Sequence, residues 1–261
     1  MSNGKRILNF LHALCFPPKC TACHKLLEWR LPRDCCKDVW EEALCEDCLR
    51  AWKSETLETC GNCAMRVCDC VCQPQLLHDA KCEGLCKAVY YLPRQSAPVQ
   101  NRIIFSMKRR ADRKTAGFAA RELSYSVERF LHTKKISRDA LIVTHLPRSR
   151  RSVMQYGTDQ AYELARALAK RLGVPHETLI LRKRNANRTQ KELSERERKE
   201  NAKNAFLANA GKDCKGKTVL LVDDVVTTGA GMAVGARILK KMGAACVIGV
   251  TLAVDAENKD N

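Results

Sequence analysis

The chain has 261 residues, with 46 Lys plus Arg against 29 Asp plus Glu and 16 Cys, giving a formal net charge of +17. This length suits one medium domain with a smaller companion, and a hydrophobic content of 45% excludes wholesale disorder. No apolar run approaches the ~18–20 residues that span a bilayer, which excludes a transmembrane segment.

In chain order, the first feature is the apolar stretch Ile7–Phe16 behind Lys5 and Arg6. Asn9 and His12 interrupt it, and Pro17 and Pro18 follow where a signal peptide would place small residues. It reads as a short amphipathic helix, and the chain is expected to be cytoplasmic with reduced thiols.

Fourteen of the 16 cysteines lie between Cys15 and Cys86. Residues 1–90 carry 12 basic and 12 acidic side chains, whereas residues 91–261 carry 34 and 17 and so hold the entire net charge. Two composition regimes predict two domains, 1–88 and 89–261. At the front, Cys20-x-x-Cys23 and Cys45-x-x-Cys48 are tight pairs of ribbon-like separation. Each pair can offer two thiolates from one turn, and two pairs complete the tetrahedron that Zn²⁺ prefers. The competing readings are plain buried thiols and a redox-active C-x-x-C, and the latter wants a βαβ context that is missing here. Cys60-x-x-Cys63 opens a second set, with Cys68, Cys70 and Cys72 behind it. Cys70 and Cys72 are the favoured partners because they leave the longer return loop, with Cys68 in reserve. Cys35, Cys36, Cys82 and Cys86 remain unassigned. Two structural zinc ions are expected, supplying folding free energy to a segment with little apolar mass. The neutral charge of this segment argues against a large phosphate footprint on it.

Beyond residue 90, helix and strand alternate. Periodicity predicts helices over Val99–Met107, Thr115–Thr133, Gly157–Leu172 and Gly229–Met242. Apolar runs predict strands over Ala140–His145, Thr178–Leu181, Lys217–Val222 and Cys246–Ala253. This alternation implies an α/β fold, a parallel sheet covered by helices on both faces. Ligands of such sheets bind beyond the carboxyl ends of the strands. There the sequence reads Val222-Asp223-Asp224-Val225-Val226-Thr227-Thr228-Gly229. Two carboxylates at a buried strand end suit sugar hydroxyls, a divalent cation, or both. Two hydroxyls and a glycine then enter a helix whose N-terminal N–H groups favour phosphate.

This segment resembles the thirteen-residue phosphoribosyl pyrophosphate (PRPP) motif of type I phosphoribosyltransferases. With its cysteine-rich front the chain resembles the ComF family, a double zinc ribbon fused to a phosphoribosyltransferase domain. Further matches are Pro17-Pro18-x-Cys20-x-x-Cys23, Gln190-x-x-Leu193, Arg198-x-x-Asn201 and Ala205-Phe206. The resemblance implies that Asp223 and Asp224 hold the ribose hydroxyls as the catalytic acids. It implies that the turn through Val225, Val226, Thr227, Thr228 and Gly229 holds the 5′-phosphate. The loop Thr144–Arg150 would bind pyrophosphate through Arg148 and Arg150. A lid over about Arg182–Asn204, with Arg184, Arg188 and Arg198, would close on the leaving group. Mg²⁺ would enter with PRPP. Two departures stand out. Where the family often has R-G-F-N-Q, this chain has Tyr156-Gly157-Thr158-Asp159-Gln160, and Gly231 replaces a frequent hydroxyl.

Three functions remain open at this stage. One is a phosphoribosyltransferase of nucleotide metabolism or salvage. Another is a PRPP- or nucleotide-binding protein of DNA uptake in natural competence, with competence or recombination proteins as partners. The third is a non-catalytic zinc-ribbon adaptor that binds DNA. Residues 102–151 carry 14 basic and four acidic side chains, an electrostatic track for single-stranded DNA. Aromatic stacking candidates are few: Tyr90, Tyr91, Phe105, Phe118 and Tyr125.

Overall fold

The computed structural model describes residues 17–27, 43–93, 95, 98–110, 113–183 and 205–256. The expected helix over Ile7–Phe16, the thiols Cys35 and Cys36, and lid residues 184–204 lie outside this set. The elements are α1 (Glu46–Thr56), α2 (Gln75–Asp79), β1 (Leu85–Tyr91), α3 (Val99–Arg110), α4 (Arg113–Thr133), β2 (Leu141–His145), α5 (Arg150–Tyr156), α6 (Gln160–Leu172), β3 (Ile180–Arg182), β4 (Phe206–Ala208), β5 (Thr218–Val226), α7 (Ala230–Lys241) and β6 (Cys246–Asp255).

Four strands form one parallel sheet in the order β1-β6-β5-β2. Alternation along β5 assigns its faces. Leu220 and Val222 enter one buried cluster with α4 and α6, while Val219 and Leu221 enter another with α7. Helices therefore cover both faces, as the alternating elements predict.

The structure corrects the strand and helix expectations in three places. Thr178–Leu181 is not a strand of the parallel sheet. Its core, β3, pairs antiparallel with β4, matching Arg182 to Phe206. The fourth sheet strand is instead β1, and residue 88 lies inside it. The predicted helix Gly157–Leu172 is two helices. Gly157 ends α5 in the left-handed region (φ 77°), and Asp159 caps α6 by accepting from the Tyr162 N–H. Finally, β5 does not stop at Val222 but runs through both acids to Val226, held by β6.

The cysteine-rich front is not an appendage. Cys20, Ala22, Leu44, Cys48 and Trp52 share one buried cluster with Val99, Ile103, Phe118 and Leu123 of α3 and α4. Trp52 is fully buried, its ring edge-on to Phe118 at 5.2 Å. Its indole N–H donates to Glu122 at 2.9 Å. Thr21 meets Thr115 at 3.2 Å, and Gln100 donates to Glu55 at 2.6 Å, extending the seam. Trp52→Ala is therefore expected to destabilise the whole protein by about 3–5 kcal/mol, not the front alone. Chemical denaturation followed both by far-UV circular dichroism and by a fluorescence label at the carboxyl end of β5 checks this, through coincident transitions.

Candidate functional site

Two cysteine sets come together. In each set, Cys20, Cys23, Cys45 and Cys48 or Cys60, Cys63, Cys70 and Cys72, the four sulfurs lie within 4.8 Å of one another. Cys23 and Cys45 Sγ are 3.6 Å apart, against an edge of about 3.8 Å for tetrahedral Zn–S bonds of ~2.3 Å. Both donor sets therefore fit zinc. Cys68 stands outside both groups, and every described cysteine is a free thiol.

The two sets begin with the same knuckle, 40 residues apart in the numbering. Lys19 bridges Leu26, and Thr59 bridges Arg66. The Cys20 N–H donates to Lys25 O and the Cys60 N–H to Met65 O, both at 2.8 Å. His24 (φ 60°) and Ala64 (φ 56°) make the same left-handed turn. Burial opposes ionisation of Cys20, but backbone donors from Cys45, Cys23 and Ala22 outweigh it and hold the thiol to about 7. Cys60 is held to about 6 in the same way, burial being outweighed by the Asn62 and Cys63 backbone and the Cys70 thiol. The second halves differ. Cys45 caps α1 and Cys48 lies in its first turn, whereas Cys70 and Cys72 lie on an extended return.

The second site of interest lies at the carboxyl end of β5. The register of β2 with β5 ends at His145↔Val222, while β6 follows β5 as far as Val226↔Val254. A crevice opens where β2 stops. Strand alternation sends Asp223 and Asp224 to opposite faces. Asp224 is 7% exposed and ion-pairs with Arg148, which reaches across from the end of β2. Asp223 accepts from the Asp224 N–H at 2.9 Å. Burial, and then the charge of Asp224, pushes its carboxyl well above the usual carboxylate range.

Past Val226 the chain turns through Thr227 and Thr228, both exposed, to Gly229, which caps α7 with φ 75°. The Ala230 N–H, first of α7, donates to Thr228 Oγ1 at 3.4 Å, and the N-terminal end of such a helix favours an anion. A Cβ at Gly229 would sit 3.3 Å from Leu77 and 3.5 Å from Pro74, so this turn rests directly on α2. Val226 is buried and Val225 half-buried, so only their backbone faces the turn. The departure at Gly231 has a packing cause: a Cβ there would lie 3.2 Å from Leu146.

Of the loop expected to bind pyrophosphate, Thr144 and His145 are buried at the end of β2, and only the residues from Pro147 onward open to the crevice. Arg150 is exposed at the start of α5. Asp159 holds the loop by accepting from the Arg148 N–H at 2.9 Å. Gln160 fastens α6 to α3 by donating to Lys108 O at 3.0 Å. Gly157 and Gln160, the two residues kept from the family pattern, thus serve a helix cap and a tether. Arg182 stacks on Phe206 at 5.2 Å and donates to Pro147 O at 3.4 Å, tying β3 to the same loop. His145 is held to about 4 by burial, against the upward pull of Asp159, so it is neutral at neutral pH. Arg184, Arg188 and Arg198 lie outside the described residues.

Asp159, Arg182 and Lys87, a buried lysine beside the second cysteine set, were not singled out by sequence reasoning. Asp159 carries a legible signal, an Asp before an amphipathic helix. Lys87 carries none.

The family described as phosphoribosyl transferase domain matches residues 158–261, from the start of α6 through β6, in keeping with the parallel sheet and its helices. The chain is also homologous to Competence protein F of Haemophilus influenzae (strain ATCC 51907 / DSM 11121 / KW20 / Rd), 36% identical over 88 residues, 33% of this chain and 38% of that protein. The DNA utilization protein YhgH of Salmonella typhi is 40% identical over 91 residues, 35% of this chain and 39% of that one. The matched stretches thus span well under half the length of these relatives. The two four-cysteine clusters fit the double zinc ribbon that the ComF resemblance implies. Among solved structures, the purine phosphoribosyltransferase from Pyrococcus horikoshii Ot3 is 18% identical, covering 52% of this chain and 74% of that one with a TM-score of 0.30.

Proposed function

We propose that the chain is a ComF-like protein that binds Mg²⁺·PRPP in the β5 crevice and acts in DNA uptake or a related nucleotide-linked process, with zinc resident in both cysteine sets. The observation that carries the pocket reading is the run from the acids to Gly229, delivered by a buried strand onto the N-terminus of α7. Asp223 and Asp224 would hold ribose hydroxyls, the Thr227–Gly229 turn would hold the 5′-phosphate, and Arg148 and Arg150 would meet the pyrophosphate. Mg²⁺, when bound, would spread the charge of the pyrophosphate. Arg148 would have to release Asp224, so the ion pair guards the crevice until ligand arrives.

Calorimetric titration of Mg²⁺·PRPP into the zinc-loaded protein tests the pocket. A saturable isotherm with one site is expected, and a flat trace sinks the reading. The names of the relatives, and the basic surface over 102–151, favour single-stranded DNA as a further partner. Of the five aromatic candidates, Tyr90 and Phe118 are buried and Tyr125 is 65% exposed. Binding is therefore expected to be driven by phosphate charge rather than by stacking. Fluorescence anisotropy of a labelled oligonucleotide should show affinity falling steeply between ~50 and ~200 mM salt. A salt-independent affinity would point instead to base stacking.

A further inference from the structure

Lys87 lies in β1 and is 2% exposed. Its ammonium donates to the carbonyls of Cys72 at 2.8 Å and Cys70 at 3.2 Å, and to the Cys70 sulfur at 3.3 Å. Among the described residues no carboxylate lies within ion-pair distance of it. A buried cation without an anion is costly, and the anion that this site offers is the cysteine set itself. Four thiolates around one divalent zinc leave two negative charges. The lysine therefore offsets one of these two charges, and it ties the Cys70–Cys72 segment to β1.

The tie continues toward the phosphate turn. Two residues beyond Cys72, Pro74 caps α2, and Pro74 and Leu77 are the side chains on which Gly229 rests. Leu77 is fully buried in one cluster with α7 residues Met232 and Ala233. Gln73, between the two, donates to Cys82 O at 2.9 Å. The chain from the second cysteine set to the phosphate turn is thus short, and it runs beside a small cavity lined by Cys72, Gln73, Pro74 and Lys87.

We propose that Lys87 is the positioning counter-ion of the Cys60–Cys63–Cys70–Cys72 metal site, and that through Pro74 and Leu77 this site braces the phosphate turn at Gly229. The second half of this proposal rests on the PRPP reading above; the first half does not. Lys87→Met keeps the apolar stem and removes the charge, and Lys87→Arg keeps the charge. Zinc release to a chromophoric chelator from the full chain is expected in two phases, one per site. Lys87→Met should accelerate one phase by about 10–100-fold, the usual reach of a group hydrogen-bonded to a metal ligand, and leave the other unchanged. Lys87→Arg should restore most of the retention. In Co²⁺-substituted protein, the thiolate bands of one site alone should shift in Lys87→Met. Two unchanged phases, or two phases accelerated equally, would overturn the counter-ion role. A selective change in metal release with unaltered Mg²⁺·PRPP affinity would overturn the brace while keeping the counter-ion. If the unaltered protein itself binds no PRPP, the pocket reading fails, the brace falls with it, and the chelator phases still decide the metal half.

Discussion

Replacing Asp223 and Asp224 together by Asn is expected to weaken Mg²⁺·PRPP binding by at least about 100-fold while zinc content stays at two per chain. Two charge-assisted hydrogen bonds to the ligand are removed, each worth about 1.5–3 kcal/mol, and each 1.4 kcal/mol is about tenfold in affinity. The single variants should separate in stability. Asp223 has its pKa raised by burial and then by the Asp224 charge. A raised carboxyl contributes stability below its unfolded value of about 3.9 and loses it as pH climbs through the folded value. At pH 7.5 the unaltered protein therefore carries a penalty that Asp223→Asn lacks, and this variant should melt higher while binding less. Asp224→Asn does the opposite. It strands the Arg148 guanidinium, whose side chain is only 19% exposed, and should cost on the order of 1–3 kcal/mol. Thermal melts beside calorimetry decide this, and two variants that melt alike would refute the asymmetry.

Stripping zinc is expected to unfold more than the front of the chain. Structural zinc sites of this kind are worth about 10–16 kcal/mol in apparent binding free energy at neutral pH. Cys20 and Cys48 sit in the same buried cluster as Trp52, Phe118 and Leu123, so an emptied first site opens the core beneath α3 and α4. Chelation should lower the melting temperature of the whole molecule in one transition, and Cys48→Ser should lower zinc to about one per chain. A chelated protein that keeps its melting transition would make the clusters ornaments of an independent fold. A measured stoichiometry of one in the unaltered chain would remove one of the two sites.

The sequence carried most of the chemistry because local spacing carries it. A C-x-x-C pair needs only one turn to present two thiolates, and the run from Asp223 to Gly229 specifies a strand end and a helix start within seven residues. The α/β alternation was legible for the same reason, since each element writes its own period. Legibility failed where distant partners decide. Ile180–Arg182 looks like any short strand, and only its match to Phe206 takes it out of the parallel sheet. β1 was hidden in a cysteine-rich context because its apolar run is interrupted by Lys87, whose burial makes sense only beside Cys70 and Cys72. The split between α5 and α6 was a cap signal at Gly157 and Asp159 inside one continuous amphipathic pattern.

By itself, then, the sequence singled out the two cysteine sets, with Cys68 in reserve, and the acidic run from Asp223 to Gly229, which depend on neighbours along the chain. Tertiary structure alone decided that Arg148 bars Asp224, that Gly229 leans on Pro74 and Leu77, and that the cysteine-rich front shares a core with the sheet's helices. Each of these is a contact between residues tens of positions apart, made by burial and charge pairing that no local pattern encodes.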